Sequence, residues 1–174
     1  MSLHIIIDGY NIIRQSKQLS TLDRRDIQEG REALQDILVE YRKRRGHRIT
    51  IVFDGTNAMS PDTQHQRFRG IDILFSRNGE TADTVIKRMA AREKERALVV
   101  SSDRDIVSFV TSVGSATIGS RTFEDKLFQV LYGGDNGGME DPPETGWVPS
   151  TRKKGPSRRL SKKKRRNRDK VNKL

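Results

Sequence analysis

The sequence contains no cysteine. Disulfide scaffolds, thiol nucleophiles and Cys-based zinc or iron–sulfur centres are therefore excluded. Histidine is scarce, occurring only at His4, His47 and His65, with no two at paired ligand spacing, which argues against a His-rich zinc site. No apolar run approaches the roughly 18 residues of a membrane span. The opening MSLHIIID is too short, and too acidic at its end, for a signal peptide. The expectation is a soluble, cytoplasmic protein with no membrane partner.

Positive charge is in excess, at a formal +11 over 174 residues, but it is unevenly placed. From Ser150 to Leu174 there are 13 Lys or Arg and one acid, Asp169. Residues 1–149 hold the other 21 bases and 22 acids and are nearly neutral. The high isoelectric point thus describes a tail, not a positive field over the whole fold. The length suits one domain of ordinary size.

Five short β-branched runs, 3–7, 48–53, 71–75, 97–100 and 115–118, predict strands, and the first four are apolar enough to be covered on both faces. Between them lie helix-period segments at 23–45, 81–96, 103–113 and 121–131. The segment 54–70 shows no helical period and reads as a long loop. Strands alternating with helices predict an α/β fold with a mainly parallel sheet. Residues 133–149 contain eight Gly or Pro and four acids, a linker composition. Residues 150–174 have almost no apolar side chains and are expected to be disordered. The resulting division is a domain over 1–132, a linker over 133–149 and a basic tail over 150–174.

In a parallel sheet, every strand's C-terminal end points to one edge, where ligands bind. Asp8 leaves the first run, Asp54 the second and Asp103 the fourth, while Glu80 and Asp83 in GETAD open the helix after the third. Taken singly, each acid has a plain structural role available: Asp103 as an N-cap, Asp83 in a first helical turn, Asp54 in a turn. Together they would repel, by roughly 4 kcal/mol for a pair about 4 Å apart at an effective dielectric near 20. A cation among them relieves that repulsion, and hard oxygen donors without His or Cys point to Mg²⁺ or Mn²⁺. Such ions serve phosphate-ester chemistry. Asn11 is placed to orient a ligand or phosphate, and Arg67, Arg69 and Arg77, with Thr81 of GETAD, are candidates for contact with substrate phosphates.

The segments IIIDGYNII, GREALQDILVEYRKRRGHRITIVFDG, FSRNGETADTVI, VVSSDRDI and SRTFEDKL resemble, in order and spacing, the YacP-like branch of the NYN-domain proteins, which are PIN-like ribonucleases. The resemblance covers about residues 3–131 and leaves out the linker and the tail. It implies a three-layer α/β/α fold with a five-stranded sheet in the order 3-2-1-4-5, which sets Asp8 beside Asp103. It also implies a divalent-metal-dependent endoribonuclease with no organic cofactor. Asp8, Asp83 and Asp103 would be its metal-binding catalytic acids and Asn11 the Asn of its first motif. Asp105 matches a position where related enzymes sometimes carry a further acid and is a candidate metal ligand. Asp54 is read as a supporting or structural residue.

Two other phosphate-handling folds fit less well. A receiver domain needs an acid pair after the first strand and a Lys after the fifth, and a dehalogenase-like phosphatase needs Asp-x-Asp after the first strand. Asp8-Gly9-Tyr10 and the SATIGSR segment supply neither. A catalytically inactive RNA- or ribosome-binding adaptor is the alternative, since the tail alone gives salt-sensitive binding.

Overall fold

The computed structural model describes residues 2–55, 65–77, 79–133 and 161–174. Apart from Gly133, the expected linker lies outside these residues, as does 150–160 of the tail.

Six strands form one sheet: β1 (His4–Asp8), β2 (Arg48–Phe53), β3 (His65–Phe68), β4 (Ile71–Phe75), β5 (Ala97–Val100) and β6 (Ala116–Ile118), in the order β3-β4-β2-β1-β5-β6. The five expected strands are all present, parallel, and in the expected order, with β1 between β2 and β5. The addition is β3, antiparallel to β4, inside the segment read as a loop. Its sequence HQRF is mostly exposed and carries no apolar pattern, as an edge strand allows.

Helices cover both faces, giving three layers. Ile5 and Ile7 of β1 point into a larger apolar cluster built with α1 (Gly9–Gln15), α2 (Lys17–Arg25), α3 (Ile27–Arg45) and α6 (Ser120–Tyr132). Ile6 between them points to the other face, into a cluster with α4 (Ala82–Glu93) and α5 (Arg104–Ser112). This is the period-2 alternation of a strand buried on both sides.

The helix expected over 23–45 is two helices. Asp26 caps the second, its side chain accepting from Gln28 N at 2.7 Å, and Gly46, at φ 68°, ends it in the left-handed conformation. Ser16 closes α1 and caps α2, accepting from Leu19 N.

The tail departs from the expectation of disorder over 161–174. A seventh helix, α7 (Lys162–Val171), lies against the free edge of β6. Asn167 acts as a surrogate strand: Thr117 N donates to its Oδ1 at 2.7 Å, and its Nδ2 donates to Thr117 O at 3.1 Å. Val171 and Leu174 join the larger apolar cluster, and Leu174 is 3% exposed. Tyr41 Oη donates to Leu174 O at 3.1 Å, and His47 Nε2 lies 3.1 Å from Lys173 O. A few anchoring contacts override a composition that on its own could not repay the entropy of ordering.

Candidate active site

Asp8 is the last residue of β1 and the N-cap of α1. One carboxylate oxygen accepts from Asn11 N at 3.2 Å and the other from Ser101 Oγ at 3.2 Å. Gly9 is required immediately after it, because a Cβ there would run into the Phe53 ring. The turn from β1 into α1 can therefore hug β2, which keeps Asp8 buried beside β5.

A cleft of about 290 Å³ opens at this edge of the sheet, lined by Asp8, Asp54, Asp83 and Asp103 together with Asn11 and Arg14. Burial is the main force on Asp8 and, with weaker repulsion from Asp83 and Asp103, pushes its pKa up to about 6, against its two hydrogen bonds. Asp83, in the first turn of α4, is also raised, first by burial and then by Asp103. Asp103 caps α5, accepting from Asp105 N at 2.7 Å and Ile106 N at 3.2 Å. Asp54 accepts a long contact from Ser76 Oγ, whose oxygen also receives Gly55 N at 2.9 Å.

Two further acids are neutralised by cations from α4. Lys87 Nζ pairs with Asp105 Oδ2, and Arg88 pairs with Glu80. Asp105 is thus turned to Lys87 and does not line the cleft, in contrast to its expected place among the ligands.

Asn11 does more than face a ligand. Its Oδ1 accepts from Ser102 N at 3.0 Å, Ser120 Oγ at 2.7 Å and Gln15 Nε2 at 3.0 Å. Ser102 Oγ in turn donates to Gln15 Oε1 and accepts from Ser120 N. The network ties α1, the β5–α5 turn and the start of α6 together, which fixes Asp103 relative to Asp8. Ser101, Ser102, Ser120 and Gln15 were not legible as site residues, since only the tertiary network gives them a role. The paired serines of SSD were the one signal available.

The arginine candidates are scattered. Arg77 follows β4 at the carboxylate edge but does not line the cleft. Arg67 lies opposite Asp72 on β3, level with the middle of β2. Arg69 sits in the β3–β4 turn at the opposite edge, over the Phe68 ring. Because β3 runs antiparallel, it carries Arg67 and Arg69 away from the acids. Thr81 caps α4, accepting from Thr84 N at 3.3 Å, and is exposed beside Asp83.

The four carboxylates form a donor set of hard oxygens suited to Mg²⁺ or Mn²⁺. Among the described residues, however, no three acidic or His side chains are gathered closely enough to enclose an ion. Asp8 is fixed by two hydrogen bonds, so any closure around an ion falls to Asp83 and Asp103, on neighbouring helix starts.

The crystal structure of Rae1 (YacP) from Bacillus subtilis is similar in fold, with a TM-score of 0.63 and 25% identity over 75% of this chain and 76% of that one. A point mutant of the same protein gives a TM-score of 0.61 at 23% identity, covering 74% and 76%. The YacP protein of Bacillus subtilis (strain 168) is 30% identical over 86 residues, which are 49% of this chain. The chain covers only half of that relative's length in this match. A family model of the YacP-like NYN domain matches residues 5–172, so the basic helix, expected to fall outside the resemblance, falls inside it. The chain belongs to the YacP-like NYN domain family.

Proposed function

We propose that this protein is a divalent-metal-dependent endoribonuclease that hydrolyses RNA phosphodiester bonds at the carboxylate edge of its sheet. The observation that carries the reading is the meeting of Asp8, Asp54, Asp83 and Asp103 at one cleft. Asp8 is buried there, and burial first, with Asp83 and Asp103 after it, disfavours its charged form. Such an arrangement is unfavourable without a counter-ion and is reversed by one. Asp8, Asp83 and Asp103 would hold Mg²⁺ or Mn²⁺, with Asp54 at the margin. The ion, when bound, supplies a lowered pKa for its water and charge stabilisation at the phosphate. Asn11 keeps the two strand-end acids in register, and Arg14, against the Tyr10 ring at 5.5 Å, offers a cation at the rim for a substrate phosphate.

The partner we propose is RNA, messenger or ribosome-associated, met free or on the ribosome. Single-stranded RNA should be cleaved with Mg²⁺ or Mn²⁺, cleavage should stop in excess chelator, and it should return with the ion. Asp8→Asn should remove activity and keep the fold. Full cleavage in excess chelator would end the metal reading.

The spacing of the carboxylates favours one second reading, a catalytically inactive RNA-binding adaptor. It predicts RNA binding with no cleavage under any metal and no binding of Mn²⁺ at the cleft by paramagnetic broadening.

A further inference from the structure

The 14 residues from Ser161 to Leu174 carry eight Lys or Arg and one acid. Within α7, three i,i+4 pairs are like-charged: Lys162 with Arg166, Lys164 with Arg168, and Arg166 with Lys170. Each such pair weakens an isolated helix. The helix stands because residues other than the lysines hold it, namely Asn167 on the β6 edge with Val171 and Leu174 in the core. The anchors therefore keep mutually repelling cations in fixed positions, where a free tail would let them separate.

Those cations face a cleft. Lys162, Lys163, Lys164, Arg166 and Lys170 form one wall of a groove of about 670 Å³, and the end of α5 with β6 forms the other. Among the described residues, Glu95 is the only acid lining it, and Arg166 already pairs with it. Lys162, Lys163 and Lys164 are exposed, leaving three cations at the mouth. The groove shares no residue with the carboxylate cleft.

We propose that this groove is a second RNA-binding site, which takes the phosphodiester backbone of the substrate at a fixed place apart from the carboxylate edge. The proposal rests on the ribonuclease reading for its choice of polyanion. Charge complementarity carries it, since five Lys or Arg line the groove and no large apolar or aromatic side chain does. The one apolar residue of α7, Val171, packs into the core, so the helix offers no face to insert into a bilayer. A protein interface of ordinary composition would also present apolar or aromatic anchors. Binding here reads charge and not sequence, and it offsets the repulsion that the acid-lined cleft exerts on a phosphate chain.

The test uses the full chain carrying Asp8→Asn, in chelator, so that it does not depend on cleavage. Affinity for a labelled oligouridylate is measured at several salt concentrations, for this chain and for the same chain with Lys162→Gln, Lys163→Gln and Lys164→Gln. Three lost contacts at roughly 0.7 each should flatten the slope of log affinity against log salt by about 2 units. A triple Lys→Arg variant should keep the slope, and circular dichroism should show all variants folded. An unchanged slope in the Gln variant overturns the proposal. So does a loss of binding to phosphatidylglycerol vesicles with none to RNA, which would make the helix a membrane contact. If the wild-type chain proves unable to cleave RNA with any metal while the slope falls, the groove stands and the ribonuclease reading fails.

Discussion

Ser101 Oγ donates to Asp8 Oδ2 at 3.2 Å, joining the end of β1 to the residue that follows β5. This bond and the one from Asn11 N favour the carboxylate, yet burial outweighs both and raises the pKa to about 6 from 3.8. Between these values the folded chain holds a proton that the unfolded chain has released. The contribution of Asp8 to the stability of the metal-free protein should therefore be most favourable below about pH 4, fall as pH rises to about 6, and level off above it. The shift corresponds to about 3 kcal/mol at most, at 1.36 kcal/mol per pKa unit. Asp8→Asn should flatten this slope and raise the neutral-pH Tm, measured by denaturation in chelator across pH 4–8. An equal slope in both proteins would show that Asp8 is not its source.

Asn11→Ala removes the acceptor of three hydrogen bonds and leaves Ser102 N without its partner. A loss of about 2–3 kcal/mol is expected, from roughly 1 kcal/mol per bond and a stranded donor. Urea denaturation measures it. Hydrogen exchange should speed up at Ser102 and at the start of α6, and not in β4.

Gly9→Ala drives a methyl into the Phe53 ring between β1 and β2. Overpacking of this kind costs about 1–3 kcal/mol, and the turn that carries Asp8 should shift with it. Thermal melting should show the loss, and a companion Gly79→Ala should cost little through steric overlap, because open space surrounds Gly79. Any cost there comes from its φ of 82°.

Asp83 and Asp105 are both acids of first helical turns, yet the cleft separates them. On the proposed metal-dependent reading, Asp83→Asn should lower kcat/KM by about 100-fold or more, whereas Asp105→Asn, whose carboxylate is held by Lys87, should cost about tenfold or less. Steady-state cleavage at saturating Mg²⁺ distinguishes them. Equal losses would restore Asp105 to the ligand set.

Leu174→Ala should cost about 2–4 kcal/mol, the usual range for a buried Leu. Deleting residues 161–174 goes further, because it uncovers the backbone of β6. The truncated chain should associate as its concentration rises, a behaviour that sedimentation velocity would reveal.

The parallel strands could be read from the sequence because β-branched runs covered on both faces carry a signal that does not depend on distant residues. For the same reason the order of runs and acids was enough to place Asp8, Asp54, Asp83 and Asp103 at one edge. β3 was not legible, since HQRF is exposed and owes its pairing wholly to β4. Without that strand, Arg67 and Arg69 fall near the acids; with it, they are carried away from them. α7 was hidden differently: its composition is that of a solvated tail, and three residues far from the rest of the core in sequence decide otherwise. The role of Asn11 was half legible. Its proximity to Asp8 follows from the DGYN spacing, but its three donors come from residues up to 109 positions away.

Tyr41 and Leu174 meet across 133 positions of chain, and Asn167 reaches back 50 positions to Thr117. Contacts of such range slow folding, because the loop between them must close before it is rewarded. During synthesis, the sheet and its carboxylate edge can assemble while the β6 edge still lies bare, and the larger core closes only after residues 161–174 emerge. A nascent chain stalled before that point would hold a formed but weakly stabilised acidic cleft. The α7 segment therefore serves as a completion step, because the larger core is not closed until residues 161–174 are in place.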